Sequence, residues 1–452
     1  MTTMSPNDDR GGDHGADPYG RDLAVVAAQP VGQLEPQPWM TRPATRAVLA
    51  ALTAEGDEVR FIGGCVRDAV VKRKIRDIDL ALARVPTDVM GLLQRAGIRV
   101  IPTGIDHGTV TAIVAGDPYE ITSLRIDVET DGRRARVAYT DDWMVDAARR
   151  DFTINALSCT PDGAVYDYFN GLNDLGHGRI RFVGDARARI GEDVLRLLRF
   201  FRFYAHYGKP PPDADALAAC RAMADRLPLL SGERVRVELL RTLMSEYPAE
   251  VFELMRDNHV LAHVLPEASD VGRLRQLTWL EGPGLPSGTV VADAIRRLAA
   301  LVVTDADGSG RIAERLRLSN RQRRRLAVLV SPPFAIGPDM DQEQCKRLLY
   351  RWGAETVRDI AILAWASERV ERGIVPPARG RMWLELLTAI EAWRPVAFPL
   401  KGSDALALGV ERGPRIGRLL REVEVWWTEG GFRADRAECL GQLRQRLAAA
   451  PG

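Results

Sequence analysis

The stretch Phe61-Ile-Gly-Gly-Cys-Val-Arg-Asp68, with Arg76-Asp-Ile-Asp-Leu-Ala-Leu82 close behind it, decides how this chain folds. Apolar Phe61 and Ile62 end a strand. Gly63 and Gly64 allow a tight turn and a close approach of backbone to a ligand. Val66 to Lys74 then forms a helix whose N-terminal N–H groups and dipole favour an anion. In Asp77-Ile78-Asp79 the strand period of two sets both carboxylates on one face and Ile78 on the other. Two carboxylates forced together are costly unless a cation neutralises them, and a hard, oxygen-seeking Mg²⁺ fits best. Either half alone is weak, because Gly-Gly occurs in ordinary turns and Asp-x-Asp in solvated loops. Joined within about 20 residues in strand–turn–helix–strand order, they imply phosphoryl or nucleotidyl transfer.

Composition narrows the class. At 452 residues the chain exceeds one typical domain. Hydrophobic content of 46% beside 27% charged residues fits a soluble protein with a full core. A net charge of +1 means that nucleic acid would have to be met by local patches. Cys65, Cys159, Cys220, Cys345 and Cys439 are scattered without Cys-x-x-Cys spacing, which argues against zinc or a disulfide framework and for a reducing cytoplasm. No apolar run approaches the roughly 18 residues of a membrane span. The first 20 residues are polar and net acidic, unlike a signal peptide, and read as a disordered tail.

Along the chain, Trp39 to Arg60 suggests one entry helix. Short β-branched runs then alternate with turns: Thr109-Val-Thr-Ala-Ile-Val114, Tyr119-Glu-Ile-Thr-Ser-Leu124, Arg136-Val-Ala-Tyr139 and Ala164-Val-Tyr166. They predict a small domain with one mixed sheet. After Asp185 strand signals fade, and Leu-, Ala- and Arg-rich segments with helical period continue to the end. Pro/Gly stretches such as Lys209-Pro-Pro-Pro212, Glu281-Gly-Pro-Gly284 and Asp305-Ala-Asp-Gly-Ser-Gly310 break them.

The glycine–aspartate arrangement resembles the signature of the polymerase-β-like nucleotidyltransferases. Its Gly-Gly-x-Val-Arg-Asp form is similar to that of class II tRNA nucleotidyltransferases (CCA-adding enzymes) and the related bacterial poly(A) polymerases. Asp146-Ala-Ala-Arg-Arg-Asp-Phe-Thr-Ile-Asn-Ala-Leu157 resembles the family's second motif, and Tyr166-Asp-Tyr-Phe-Asn-Gly-Leu-Asn-Asp174 its third. Gly191-Glu-Asp-Val-Leu-Arg-Leu-Leu-Arg-Phe-Phe-Arg-Phe203 resembles the nucleotide-selecting fourth. The resemblance runs from about Phe61 to Tyr207 and is loose beyond.

It implies an α+β protein: a polymerase-β-like head of mixed sheet and helices, followed by an all-helical neck, body and tail. The expected divisions are a disordered tail over 1–35, the head over 36–185, a nucleotide-selecting and RNA-binding neck over 186–270, and a tRNA-binding body and tail over 271–452. The implied activity is template-independent addition of CCA, or part of it, to tRNA 3′ ends from CTP and ATP. Two-metal nucleotidyl transfer would release pyrophosphate. A poly(A) polymerase of the same fold is the alternative, and a non-catalytic RNA-binding protein is the alternative of another class. No protein partner is evident. The six histidines stop at His263, leaving the rest of the chain without ligands for the metal-dependent phosphohydrolase domain that some relatives carry.

Asp77 and Asp79 are the expected Mg²⁺ ligands. Glu120 alternates correctly along its strand to be a third carboxylate, or else is a solvated strand residue. Gly64 and Arg67 match the family's first nucleotide-binding positions, by backbone approach to phosphate and by a guanidinium suited to it. The other reading of Arg67 is a local ion pair with Asp68. Arg150 matches an arginine that binds the nucleotide, with the role of Arg149 open, and Asp151 and Asn155 resemble residues that shape the site.

On the helix expected from Gly191, Val194, Leu197, Leu198 and Phe201 form an apolar stripe, and Asp193, Arg196, Arg199 and Arg202 sweep the opposite arc. Asp193 accepts and Arg196 donates, so together they can pair with the base edge of cytosine or adenine. Arg199 and Arg202, farther round, suit the triphosphate. Residues 122–142, including Asp131-Gly-Arg-Arg-Ala-Arg136, fall where the family has a flexible loop used in switching from C to A addition. Downstream, Arg315-Leu-Arg-Leu-Ser-Asn-Arg-Gln-Arg-Arg-Arg325 is a basic run. Its Arg321, Arg323, Arg324 and Arg325 are expected on tRNA phosphates, or else form a solvated face.

Overall fold

Period-two alternation between residues 59 and 123 builds a sheet with one apolar face and one polar face. A computed structural model of the chain describes residues 29–75, 77–130, 135–286, 288–374 and 376–449. Its strands are β1 (Gly32–Gln33), β2 (Val59–Ile62), β3 (Ile78–Leu82), β4 (Arg99–Gly104), β5 (Thr109–Val114), β6 (Asp117–Ser123), β7 (Arg125–Thr130), β8 (Ala135–Tyr139), β9 (Ser158–Cys159) and β10 (Ala164–Tyr166). Eight of them form one sheet in the order β1-β10-β9-β2-β3-β6-β5-β4, while β7 and β8 pair as a separate hairpin. Only β3 and β6 run parallel in the large sheet, which is therefore mixed. The four strand segments expected from residues 109 to 166 are all present.

Leu80, Leu82, Val110, Ala112, Tyr119 and Ile121 are buried on one face. That face is covered by α2 (Pro43–Leu52) and α4 (Pro86–Arg95), and the buried Thr45 and Tyr119 hydroxyls meet at 3.1 Å. The entry segment is two helices, α1 (Pro38–Thr41) and α2, where the sequence suggested one. Arg42 is extended at ψ 149° because the proline ring of Pro43 excludes helical geometry from the residue before it. Between β2 and β3 lies α3 (Gly64–Val70), which gives the strand–turn–helix–strand order. The polar face is approached by α5 (Trp143–Ala148), whose N-terminus is capped by Asp142, and α6 (Gly171–His177) follows β10.

Helices follow to the end of the described residues. The helix expected from Gly191 is broken in two, α7 (Ala186–Glu192) and α8 (Leu195–Tyr207), with α9 (Ala214–Ala222) beyond. Asp193, at the break, is extended (φ −151°, ψ 106°), and its carboxylate accepts the N–H of Leu195, the first residue of α8, at 3.1 Å. Residues 1–28 of the expected tail lie outside the described residues. Its later part is not a free tail: Gly32 and Gln33 add an edge strand to β10.

The chain divides into two compact units, one comprising Met1–Leu230 with Asn258–Val260 and the other Ser231–Asp257 with Leu261–Gly452. The division falls inside the stretch assigned to the neck. The second unit contains α10 (Gly232–Leu243), α11 (Pro248–Asp257), α12 (Leu261–Val264), α13 (Val271–Leu280), α14 (Ala294–Leu301), α15 (Ala306–Arg315), α16 (Asn320–Val330), α17 (Gln342–Trp352) and α18 (Ala354–Arg372), with further helices to Ala449. Asp305-Ala-Asp-Gly-Ser-Gly310, read as a break, starts α15 instead, because Asp305 caps it by accepting the Gly308 N–H at 2.7 Å. Glu281, with no exposed side-chain surface, bridges Arg296 and Arg297 at 2.5 Å each, and Arg296 also reaches Asp359 at 2.7 Å.

Candidate active site

The polar face of the sheet carries the carboxylates. β3 and β6 are in parallel register, so Asp79 lies beside Glu120, with Thr111 of β5 opposite Glu120. Asp77 stands one residue ahead of the first residue of β3. Burial, then Glu120 and Asp77, push the Asp79 carboxyl up to about 6, although Arg150 and Arg67 pull the other way. That concentration of negative charge is what a bound cation would relieve. The donors are all oxygens, which suits a hard cation. Among the described residues no group of three or more His, Cys, Asp and Glu is gathered as a metal cage. Asp79 and Glu120 are set side by side by the strand register, and a cation held there would take its remaining ligands from phosphate and water.

Around this face the basic side chains are fastened by the protein itself. Gly63, at φ +65°, occupies the left-handed region, and a Cβ there would stand 3.3 Å from Arg150 Nη1. Arg150 therefore packs over the glycine turn and acts on Asp79, which separates its place from that of Arg149. Both are held by the buried Asp146: Arg149 donates to Oδ1 at 2.7 Å and Arg150 to Oδ2 at 3.0 Å. Burial alone would raise the Asp146 carboxyl, but Arg150 and Arg149 outweigh it and hold it below the ordinary carboxylate range. The sequence reading missed Asp146; its spacing three and four residues before two consecutive arginines was the available signal.

A second relay joins α3 to α8. Arg67 donates to Asn155 Oδ1 at 2.6 Å, Asn155 Nδ2 to Asp151 Oδ1 at 3.0 Å, and Arg199 Nε to Asp151 Oδ2 at 2.6 Å. Burial would push the Asp151 carboxyl up, yet Arg199 and Asn155 hold it below the usual range. Arg67 also pairs with Asp68 at 3.0 Å, so the local ion pair does form, and Arg67 is 8% exposed. Tyr207 completes this corner by donating its hydroxyl to Asp68 at 2.6 Å.

At the α7–α8 junction Arg196 donates to Glu192, to the Arg189 carbonyl at 3.1 Å and to the Arg149 carbonyl at 3.2 Å. Arg189 grips Glu192 from the other side at 3.0 Å. Arg196 is therefore braced by Glu192, where the sequence reading paired it with Asp193. Glu192 lies four residues before Arg196, toward the N-terminal side to which an arginine side chain of α8 reaches.

The basic run divides. Arg321 is 85% exposed and Arg324 is also exposed, while Arg323 meets Glu314 at 3.1 Å. Arg325 does not belong to this surface. It turns inward to Asp359 at 2.6 Å and Asp293 at 2.8 Å, because α16 packs on α14 and α18 along that side. In the hairpin expected to act as a flexible loop, residues 131–134 lie outside the described residues.

A mixed sheet with an open carboxylate face, flanked by arginines from a glycine turn and a following helix, is the architecture of a polynucleotide nucleotidyltransferase head. Residues 59–181 match the family described as Poly A polymerase head domain, and residues 212–271 match the one described as probable RNA and SrmB-binding site of polymerase A. The chain is 33% identical over 402 residues to the mitochondrial CCA tRNA nucleotidyltransferase 1 of Homo sapiens, covering 86% of this chain and 87% of that protein. The Danio rerio counterpart is 32% identical over 398 residues, with the same coverage of both chains. The chain belongs to the CCA tRNA nucleotidyltransferase family. It shares its fold with the Bacillus stearothermophilus CCA-adding enzyme solved in complex with CTP, at TM-score 0.72 and 24% identity over 90% of this chain and 99% of that one. No helix among the described residues is long and apolar enough to cross a membrane.

Proposed function

We propose that this protein adds C, C and A to the 3′ end of tRNA from CTP and ATP, without a nucleic-acid template, releasing pyrophosphate at each addition. The observation that carries this reading is the register of β3 and β6, which puts Asp79 beside Glu120 with Arg150 acting on the same carboxyl. Asp77 and Asp79 would hold Mg²⁺, with Glu120 as the third carboxylate. When bound, the ion lowers the pKa of the RNA 3′-hydroxyl and neutralises charge on the departing pyrophosphate.

The chain's own residues do the positioning. The Gly64 backbone, Arg67, Arg150, Arg199 and Arg202 hold the triphosphate, and Asp146 and Asp151 keep the arginines in place before it arrives. Asp193 accepts from the exocyclic amino group that cytosine and adenine share, and Arg196, braced by Glu192, donates to the ring nitrogen beside it. Uracil and guanine offer the wrong pattern at both points. On α16, Arg321, Arg323 and Arg324 meet RNA phosphates. Five buried free cysteines support a reducing compartment, the cytoplasm.

The test is incubation of purified protein with tRNAs ending at the discriminator base, at C and at CC, each with one labelled nucleotide. C should enter the first two and A the third, with neither U nor G. A run of A residues added in the absence of CTP would replace this reading with a poly(A) polymerase.

A further inference from the structure

Phe203, near the C-terminal end of α8, is 4% exposed, and its surroundings are unusual for a core side chain. Three guanidinium groups lie on its ring: Arg202 at 4.2 Å from the centroid, Arg67 at 5.2 Å and Arg199 at 5.3 Å. They come from two elements, α3 and α8. The same ring meets Phe152 edge-on at 5.2 Å, next in sequence to the Asp151 that binds Arg199. One turn on, Tyr207 lies 6.1 Å from Phe203 and carries Arg67 and Arg73 at 4.3 Å each.

Guanidinium groups repel one another, and gathering three within one ring's reach costs energy unless something holds them. A negative π-face attracts each cation without neutralising it, and so adds to the carboxylates that aim two of these arginines. Asp151 and Asp68 set the directions of Arg199 and Arg67, and the ring supplies the common seat.

We propose that Phe203 is a positioning residue of the polyphosphate site: its ring assembles Arg67, Arg199 and Arg202 into one cluster that receives the triphosphate and retains pyrophosphate. This rests on the nucleotidyltransferase reading above. Because all three arginines address phosphate, the effect of Phe203 is blind to the base.

The test compares Phe203→Leu and Phe203→Tyr with the wild-type full-length chain. Inorganic pyrophosphate binding, followed by calorimetry, needs no turnover and should weaken about tenfold in Phe203→Leu, the scale of a buried cation–π contact. KM should rise by the same factor for CTP on tRNA ending in C and for ATP on tRNA ending in CC, with kcat changed far less. Phe203→Tyr, which keeps the ring, should restore both values to within about threefold. If Phe203→Leu melts below the assay temperature, Phe203→Met replaces it and is judged alike. The proposal is overturned if pyrophosphate affinity is unchanged, if kcat falls while KM holds, or if CTP and ATP shift unequally. A wild-type chain that binds pyrophosphate but incorporates neither nucleotide overturns the functional reading instead.

Discussion

At the scale of single residues, Asp79 has the most to report, because burial and two neighbouring carboxylates make its charged form costly in the free protein. Its carboxyl is held at about 6 against the 3.8 of an unperturbed aspartate. A folded-state pKa above the unfolded one means that stability is full below about pH 4 and is lost as pH rises through about 6. At pH 8 with EDTA present, the charged form costs about 3 kcal/mol. Asp79→Asn should therefore unfold at higher denaturant concentration than wild type at pH 8, and the gain should vanish near pH 4. The same substitution, and Asp77→Ala, should abolish nucleotide incorporation while leaving tRNA affinity in filter binding nearly intact. Wild-type incorporation by either variant would remove these residues from the chemistry.

At the scale of elements, α7 and α8 work as two pieces joined at Asp193. That single break turns a uniform polar arc into three stations: Asp193 at the break itself, Arg196 braced back toward α7, and Arg199 with Arg202 against Phe203. The stations predict different phenotypes. Asp193→Ala should lose discrimination of CTP and ATP against UTP and GTP by about tenfold to a hundredfold in kcat/KM, the cost of an unmatched polar group in a buried site. Arg199→Ala should depress all four nucleotides alike, since phosphate is common to them. Kinetics for each nucleotide on a tRNA ending in C would separate the two. An equal loss for every nucleotide in Asp193→Ala would make α8 a phosphate-binding helix only.

At the scale of the whole molecule, the second unit is tied by a buried ionic network in which Glu281, Arg296, Asp359, Arg325 and Asp293 follow one another. Breaking such a network is costly because it leaves a charge unpaired away from water. Arg325→Ala should lower the unfolding midpoint markedly without changing the salt dependence of tRNA binding. The double variant Arg321→Ala with Arg324→Ala should do the reverse, leaving stability unchanged and reducing the slope of log Kd against log salt by about two. An unchanged slope would return the exposed arginines of α16 to ordinary solvated surface.

Local chemistry alone was enough to place the glycine turn, the alternation of β3 and β6, and the helical character of everything after Asp185. Each depends on backbone freedom or on periods of two and 3.6, which short stretches carry. The Asp79–Glu120 pair needed the parallel register of strands far apart in sequence, and only the folded sheet supplies it. The same holds for the partner of Arg196, for the three arginines on Phe203 and for the inward turn of Arg325. Arg323, Arg324 and Arg325 are consecutive and chemically identical, yet one meets Glu314, one solvent and one Asp359. Helical rotation of about 100° per residue aims each in a different direction, and what waits there is decided by neighbouring helices that the run itself does not encode.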